Sequence, residues 1–187
     1  QTVTGSNPVA ITKLKIMDKA TSWRHRKTLQ FLSKHCVPPM KVLDLGVVNQ
    51  LSQLMANSGY LVSNTQGENL DLDQTAVLNK EIELVTAFEI FEHMLAPFNT
   101  LRAIKANKLI ASVPLQLWFA EAYWNKEDDR DKHYHEFEIK QFDFLLEKSG
   151  WRIIDSETWK PYKKLKLGIR PFLRMITNRY YIVYCER

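Results

Sequence analysis

The segment Val42-Leu43-Asp44-Leu45-Gly46 decides the fold that this sequence predicts. Residues 41–45 are mostly apolar, which is typical of a short buried strand, and Gly46 ends that strand. Residues 50–58 follow with apolar side chains at helical spacing, and Gly59 ends this helix. A glycine between a buried strand and a helix lets the backbone approach a ligand, and the first N–H groups of the helix point to the same place. The segment therefore predicts an α/β unit with a binding site at its turn.

Strand and helix patterns alternate along most of the chain. We predict helices over residues 14–35, 50–58, 97–106 and 137–149, and strands over residues 41–45, 60–63, 82–88, 108–113, 151–158 and 180–186. Such alternation predicts an α/β, Rossmann-like, doubly wound fold, with a mostly parallel sheet and helices on both faces. No helical pattern separates the last two strands, so we expect an antiparallel C-terminal hairpin at the edge of the sheet.

Length and composition indicate one globular domain. The 187 residues are 45% apolar and 25% charged, which is enough to bury a core. We expect a single domain over residues 1–187, with a loose segment at 1–13. Residues 115–136 lack clear periodicity and follow a predicted strand, so they are expected to form a lid or binding loop. The aromatic run within them, residues 117–124, predicts either that lid or a helix packed on the core.

Charge and targeting signals favour a cytoplasmic protein. No apolar run approaches the roughly 20 residues that span a bilayer, and the first residues lack an export pattern. Cys36 and Cys185 are therefore expected to be free thiols. The net charge is +5, and residues 160–179 are rich in basic side chains without an acid. This segment is either a solvated face or a surface that binds RNA or another anion. Its basic residues are Lys160, Lys163, Lys164, Lys166, Arg170, Arg174 and Arg179.

Two polar motifs carry candidate chemistry. If the chain turns helically after the strand that ends at Phe88, then Glu89, Glu92 and His93 share one face. Such a face can bind a divalent cation or transfer protons, although a simple polar turn is equally compatible with the spacing. The second motif is residues 131–138, which contain two histidines, at 133 and 135. They can supply a further ligand or a general base, or only hydrogen bonds at the start of the next helix.

The order of these motifs resembles the class I S-adenosylmethionine-dependent methyltransferases. Residues 42–46 are similar to the first motif of that family, residues 84–93 with Pro97 to the fourth-strand motif, and residues 110–114 to the fifth strand. The resemblance implies S-adenosylmethionine as cofactor, a small-molecule acceptor, and proton transfer by His93 or His135 with Glu92. The cofactor residues that it implies are Asp44, Gly46, Val47 and Glu89, with a partner for the ribose among Asn64, Glu68, Asp71 and Asp73.

A narrower resemblance points to a metal. Glu89-x-x-Glu92-His93 together with His135 is similar to the metal-dependent small-RNA 2′-O-methyltransferases, and implies a divalent cation held by those four residues. A Glu-His pair at this strand end also occurs in metal-free O-methyltransferases. The two resemblances therefore leave a small-molecule acceptor and an RNA acceptor open.

The chain also departs from the family pattern. Val48 and Gln50 stand where glycines are usual, so their side chains are expected to occupy cofactor space or push the loop outward. Residues 60–83 are too few for the usual strand, helix and strand, and Asp71 and Asp73 are expected to share one side of a strand. We therefore predict O-methylation of a small-molecule or sugar-like acceptor, with a catalytically inactive binding module or a metal-dependent RNA methyltransferase as alternatives. A nicotinamide dehydrogenase is disfavoured because no G-x-G-x-x-G follows the first strand.

Overall fold

The computed structural model describes residues 18–162 and 168–187. Helices and strands alternate, as the sequence pattern predicts. The helices are α1 (Lys19–His35), α2 (Gln50–Asn57), α3 (Pro97–Ala103), α4 (Ile139–Lys148) and α5 (Ile169–Ile176). The strands are β1 (Lys41–Asp44), β2 (Leu61–Asn64), β3 (Leu84–Phe88), β4 (Lys108–Pro114), β5 (Arg152–Trp159) and β6 (Tyr180–Glu186).

The described strands form one sheet in the order β2-β1-β3-β4-β6-β5. Strands β1 to β4 pair in parallel, whereas β6 pairs antiparallel with both β4 and β5. This arrangement confirms the predicted Rossmann-like sheet with an antiparallel hairpin at its C-terminal edge. The expectation of no helix within that hairpin is wrong, because α5 lies between β5 and β6. Its eight residues include a proline and two arginines, so the apolar pattern was too short to stand out.

The predicted shortening after β2 is present. A single short 3-10 turn, Thr75–Leu78, is the only helical element described between β2 and β3, and β2 is an edge strand. Residues 69–73 do not form the expected strand. They turn, because the N–H groups of Leu72 and Asp73 both donate to the carbonyl of Asn69, so Asp71 and Asp73 do not share one side of a strand.

Apolar side chains are buried on both faces of the sheet. Phe31 and Met55, from α1 and α2, belong to one buried cluster. Leu101 and Phe142, from α3 and α4, belong to the other. Burial of a large side chain contributes roughly 1.5–3 kcal/mol, so these two layers hold the helices against the sheet and fix the loops at the carboxyl ends of the parallel strands.

The remaining expectations from the sequence concern the N-terminal segment, the two cysteines and membrane-spanning helices. Helix α1 begins after Asp18, whose side chain accepts hydrogen bonds from the N–H groups of Ala20 and Thr21. The loose segment predicted at residues 1–13 lies outside the described residues. Cys36 and Cys185 are both free and buried. No helix in the described part of the chain combines the length and apolarity needed to cross a bilayer.

Candidate functional site

A cavity of about 590 Å³ opens above the turn that follows β1. We call it the inner cavity. It lies where the carboxyl ends of β1 and β3 meet, which is where open α/β sheets bind ligands. Its floor is the turn at Gly46, and one wall is the N-terminal half of α1. The residues that line it include Arg24, Asp44, Gly46, Val47, Gln50, Glu89, Ile90 and Ser112.

Gly46 is required by the shape of the turn. Its φ is +114°, a value that side-chain-bearing residues rarely adopt. A Cβ added there would lie 3.4 Å from Cδ1 of Ile90, across the cavity floor. Val48 does not line the cavity and is 64% exposed, so its side chain does not occupy the cavity, and the alternative expectation, that it pushes the loop outward, stays a prediction. Gln50 does line the cavity, as its position in place of a glycine predicted.

Asp44 is the buried acid of the inner cavity. Its carboxylate accepts a hydrogen bond from Thr86 Oγ1 at 2.7 Å and another from Nδ2 of Asn64 at 3.1 Å. Burial raises the pKa of Asp44 to about 6, although those hydrogen bonds oppose the shift. Asn64 ends β2 directly beside Asp44. Asn64 is therefore fixed to the turn, since its amide also donates to the Gly46 carbonyl at 3.1 Å.

The three acids that the resemblance proposed for the cofactor ribose, Glu68, Asp71 and Asp73, do not line the inner cavity. Glu68 accepts a hydrogen bond from the N–H of Gln66, and Asp73 accepts one from Thr75. Asp71 accepts from the N–H groups of both Leu95 and Ala96, each at 2.8 Å. Local turns occupy Glu68 and Asp73, and a long-range contact with residues 95 and 96 occupies Asp71, so none of the three carboxylates lines the cavity.

Glu89 connects the inner cavity with a second space. It has a φ of +57°, the left-handed conformation that is uncommon outside glycine and asparagine. Ser112 Oγ donates to its Oε1 at 3.1 Å, and Arg24 lies 3.6 Å from its Oε2. Burial raises the pKa of Glu89, while Arg24 opposes that shift. The strained backbone aims this carboxyl group between the two spaces.

The second space, which we call the outer cleft, has a volume of about 570 Å³. It shares Arg24 and Glu89 with the inner cavity, so the two are adjacent. One wall comes from residues 115–136, the segment expected to form a binding loop, and the other comes from α5. The loop contains no helix beyond a 3-10 turn at Asp129–Asp131 among its described residues. Further lining residues include Tyr123, Trp124, His133, Arg170, Arg174 and Tyr180.

His133 faces the outer cleft and is held by a carboxylate. Its Nδ1 lies 2.9 Å from Oε1 of Glu136, and Arg179 donates to the other oxygen of Glu136 at 3.0 Å. Burial raises the pKa of Glu136, but the bonds from His133 and Arg179 outweigh it and lower that pKa to about 2. An ionised carboxylate can only accept hydrogen bonds, so Nδ1 of His133 donates; in the neutral form of the ring, Nε2 is then the acceptor.

The predicted base His135 lies elsewhere. Its ring stacks on Phe137, its Nε2 is 3.4 Å from the carbonyl of Leu95, and it lines neither the inner cavity nor the outer cleft. His93 lies beside His133, with ring centroids 4.8 Å apart. Burial and the adjacent His133 lower the pKa of His93. The sequence contained the signal for His133, because a histidine and a glutamate three residues apart flank the loop end, but the motif resemblance favoured His135.

The predicted four-ligand metal set is not assembled. Glu89 is committed to Ser112 and Arg24, and His135 points to a carbonyl. A different trio offers ligand atoms within 4.8 Å of one another in the described part of the chain: Glu92, His93 and His133. Both carboxyl oxygens of Glu92 are buried without a hydrogen-bond partner among the described residues. This trio has the donor types that a transition-metal ion takes.

The basic segment 160–179 is only partly described. Lys163, Lys164 and Lys166 lie outside the described residues. Arg170 and Arg174 both line the outer cleft. Within the described ranges neither of them forms an ion pair, whereas Arg179 binds Glu136 and the carbonyl of Leu115. The segment therefore contributes positive charge to the outer cleft.

Comparisons with known proteins bear on the fold. No family model matches the chain, and no curated protein sequence matches it. A SAM-dependent methyltransferase from Archaeoglobus fulgidus superposes with a TM-score of 0.59 at 12% identity, over 89% of this chain and 94% of that one. The magnesium protoporphyrin IX methyltransferase from Synechocystis PCC 6803 with bound SAH gives 0.54 at 15% identity, over 90% and 83%. The cyclase SpnF gives 0.58 at 11% identity, over 87% and 81%.

These likenesses show that the chain has the fold of the class I S-adenosylmethionine-dependent methyltransferases. SpnF is described as a cyclase, so the fold alone does not define the reaction. The chemistry has to be inferred from the inner cavity, the outer cleft and the groups placed between them.

Proposed function

We propose that this protein is an S-adenosylmethionine-dependent methyltransferase that methylates a hydroxyl oxygen of a small, sugar-like or otherwise polar acceptor. The observation that carries the proposal is the position of His133. An imidazole oriented by an ionised carboxylate faces a cleft that adjoins the inner cavity through Glu89. That arrangement suits transfer of a group from one space to an acceptor in the other.

The inner cavity fits the cofactor in its chemistry. The bound cofactor supplies a methyl group on a sulfonium, together with an ammonium group and a carboxylate. Asp44 offers a buried carboxylate to the ammonium group, and the turn at Gly46 lets backbone approach closely. Glu89 lies between this cavity and the outer cleft, on the path to the acceptor. Val48, which the sequence placed in the way, is turned to solvent.

The outer cleft supplies the proton acceptor and the positioning groups. As the acceptor oxygen forms its bond to the methyl carbon and the carbon–sulfur bond breaks, Nε2 of His133 takes the hydroxyl proton. The Glu136 carboxylate stabilises the imidazolium that results, and Arg179 holds Glu136 in place. Tyr123 and Trp124 offer flat surfaces to the acceptor. The positive charge of Arg170 and Arg174 favours an acceptor that carries a negative group.

Calorimetry with S-adenosylhomocysteine, the demethylated cofactor, tests the first step. We expect binding in the micromolar range that His133→Asn leaves unchanged, because His133 lines only the outer cleft. The purified protein is then incubated with labelled cofactor and a panel of hydroxylated acids and sugar phosphates. Wild type is expected to label an acceptor that His133→Asn does not. Absence of binding at millimolar S-adenosylhomocysteine would contradict the proposal and favour the binding-module alternative.

A metal-assisted reaction is the second candidate, and the partnerless carboxyl group of Glu92 favours it. In that case Glu92, His93 and His133 would hold a divalent cation that binds the acceptor oxygen, and His133 would not act as a base. Metal analysis after purification in cobalt-containing medium separates the two. One cobalt per chain in wild type, lost in Glu92→Gln, would support the metal. Methyl transfer that persists after chelation would exclude it.

An RNA acceptor and a cytoplasmic location stay predictions within this proposal. The RNA acceptor depends on the basic segment 160–179, and it predicts binding of an RNA oligonucleotide that weakens steeply as salt rises. Absent or salt-insensitive binding would count against it. Fractionation of cells that express the full chain tests the location.

A further inference from the structure

We propose that helix α5 and the neighbouring aromatic loop form a docking surface for an anionic membrane. The surface consists of Ile169, Phe172 and Ile176 on α5 with Trp118 and Trp124 on the loop, and we call it the α5 rim. It goes beyond methyl transfer, since it concerns where the outer cleft opens. It can be tested without cofactor or acceptor.

The apolar half of the rim comes from α5. Ile169, Phe172 and Ile176 are spaced at i, i+3 and i+7, so they lie along one face of the helix. They are 82%, 55% and 51% exposed. Arg170 and Arg174 do not lie on that apolar face; their side chains line the outer cleft instead. A helix with an exposed apolar face and a basic face next to it is typical of segments that lie in a membrane interface.

The aromatic half of the rim faces α5 across the cleft mouth. Trp124 lines the outer cleft together with the two arginines of α5, and it is 56% exposed. Trp118 follows Leu117, another lining residue, and is 77% exposed. Large apolar side chains exposed together are uncommon on soluble surfaces, and tryptophan is the residue most favoured at the membrane interface.

Charge selects an anionic lipid as the occupant. Arg170 and Arg174 line the outer cleft, and neither forms an ion pair with a described residue. Among the acids of the loop, Glu121 lines the outer cleft with these two arginines, and Glu136 is paired with Arg179. Glu127 to Asp129 lie next to Arg130, which donates to the carbonyl of Gly67 after β2. Positive charge next to exposed tryptophan and isoleucine matches a lipid surface with acidic headgroups better than it matches a nucleic acid, which offers no apolar phase.

Vesicle flotation tests the proposal. Full-length protein is mixed with vesicles of phosphatidylcholine alone, or of phosphatidylcholine and phosphatidylglycerol in equal parts. We expect flotation with the anionic vesicles only, decreasing as salt rises. The double substitution Ile169→Ser with Phe172→Ser is expected to lower the bound fraction at least about tenfold, since two large side chains no longer enter the lipid.

The matched control is Phe144→Ser with Ile154→Ser, which removes the same side-chain types from α4 and β5. These residues are 60% and 44% exposed and lie away from the rim. This control is expected to float like wild type, and both doubles should retain the wild-type melting temperature. As a second measurement, tryptophan emission of wild type should shift to shorter wavelength with anionic vesicles, because Trp118 and Trp124 leave water.

Three results would overturn the proposal. The first is no flotation at low salt with anionic vesicles. The second is equal loss of binding in the α5 double and the control double. The third is a dimer in gel filtration that the α5 double converts to monomer, which would assign the rim to a second copy of this chain. None of these results bears on methyl transfer, which is measured separately by cofactor binding.

Discussion

The imidazole of His133 and the carboxylate of Glu136 are joined by a 2.9 Å contact, and Arg179 holds the other carboxylate oxygen. This contact makes the pair a source of pH-dependent stability. The ordinary pKa of 4.5 falls to about 2 for Glu136 in the folded protein. A carboxylate with a depressed pKa stabilises the fold fully above its unfolded pKa, and that contribution is lost as pH falls toward the folded value.

Glu136→Gln should therefore abolish part of the acid sensitivity of the fold. We expect the substitution to cost about 1–3 kcal/mol at pH 7, and the difference from wild type to shrink as pH falls from 4.5 toward 2. Urea unfolding at several pH values measures it. Glu127→Gln is the control, because Glu127 is exposed and forms no ion pair with described residues. A constant difference at every pH would contradict the ionised pair.

The two neighbouring histidines give a direct test of which one transfers the proton. His133→Gln should lower kcat by about 10²–10⁴-fold, with the affinity for S-adenosylhomocysteine unchanged. His135→Gln should leave kcat within a factor of about three, since His135 contacts Phe137 and a carbonyl outside both spaces. His135→Gln should melt near wild type, whereas His133→Gln should lose part of the stability that the pair with Glu136 supplies. A larger loss in His135→Gln would restore the assignment that the motif resemblance implies.

Asp44 should make cofactor binding depend on pH. Burial sets the pKa of Asp44 at about 6, so the carboxylate is ionised above that pH and neutral below it. Only the ionised form attracts the ammonium group of S-adenosylhomocysteine. We expect affinity to weaken as pH falls through about 6, and Asp44→Asn to be roughly tenfold weaker at pH 8 and nearly flat with pH. Calorimetry at pH 5, 6, 7 and 8 checks this; a flat profile in wild type would place the ammonium group elsewhere.

Alanine substitutions at two glycines with similar backbone conformations distinguish the effect of backbone strain from the effect of a side chain in the inner cavity. Gly46 and Gly150 have φ values of +114° and +93°, so alanine should cost about 1–2 kcal/mol of stability at either position. A Cβ at Gly150 meets nothing within 4 Å, whereas one at Gly46 meets Ile90 across the cavity floor. Gly46→Ala should therefore also lose S-adenosylhomocysteine binding, and Gly150→Ala should keep it. Equal loss of binding in both would point to global destabilisation.

The sequence predicted the parts of the fold that depend on periodic apolar patterns. The strand before Gly46 and the helix after it are local features, and they form as expected. Helix α5 was missed because eight residues with exposed apolar side chains resemble a loop in composition. The C-terminal hairpin was nevertheless predicted, since aromatic and β-branched residues mark its strands.

The site was predicted less completely, because it depends on side-chain direction. Asp44 ends β1 and Glu89 follows β3, and strand ends meet at one edge of a sheet, so sequence order was enough to place them. His133 and His135 differ by two residues in an irregular loop, where no period fixes which ring turns inward. Asp71 is close to Asn64 in sequence. Its carboxylate nevertheless accepts hydrogen bonds from the backbone N–H groups of Leu95 and Ala96, which lie far along the chain. Such long-range capture leaves no local pattern in the sequence.

Glu92 provides the last test, because its buried carboxyl group has no hydrogen-bond partner among the described residues, and Nε2 of His93 lies 3.9 Å from its Oε1. Burial, and then the charge of Glu89, raise the pKa of Glu92 well above its ordinary value. The folded protein therefore keeps the proton that the unfolded chain loses, and wild-type stability should fall as pH rises from the ordinary pKa of 4.5 through the raised pKa of the folded protein. Glu92→Gln is neutral and nearly isosteric, so it should match wild type most closely below pH 4.5 and become the more stable form as pH rises above that value.

Melting temperatures with chelator and with added zinc complete this test. Without metal, a buried group that lacks partners stabilises nothing, so Glu92→Gln should not lower the melting temperature at pH 6. The main-chain carbonyl of Glu92, which accepts from Tyr134 and His135, is unchanged by the substitution. If zinc raises the melting temperature of wild type but not of Glu92→Gln, the carboxyl group is a ligand and the trio with His93 and His133 binds metal. A large destabilisation by Glu92→Gln in chelator would contradict a neutral Glu92, and it would indicate that an ionised Glu92 is stabilised by His93, whose Nε2 lies 3.9 Å from its Oε1.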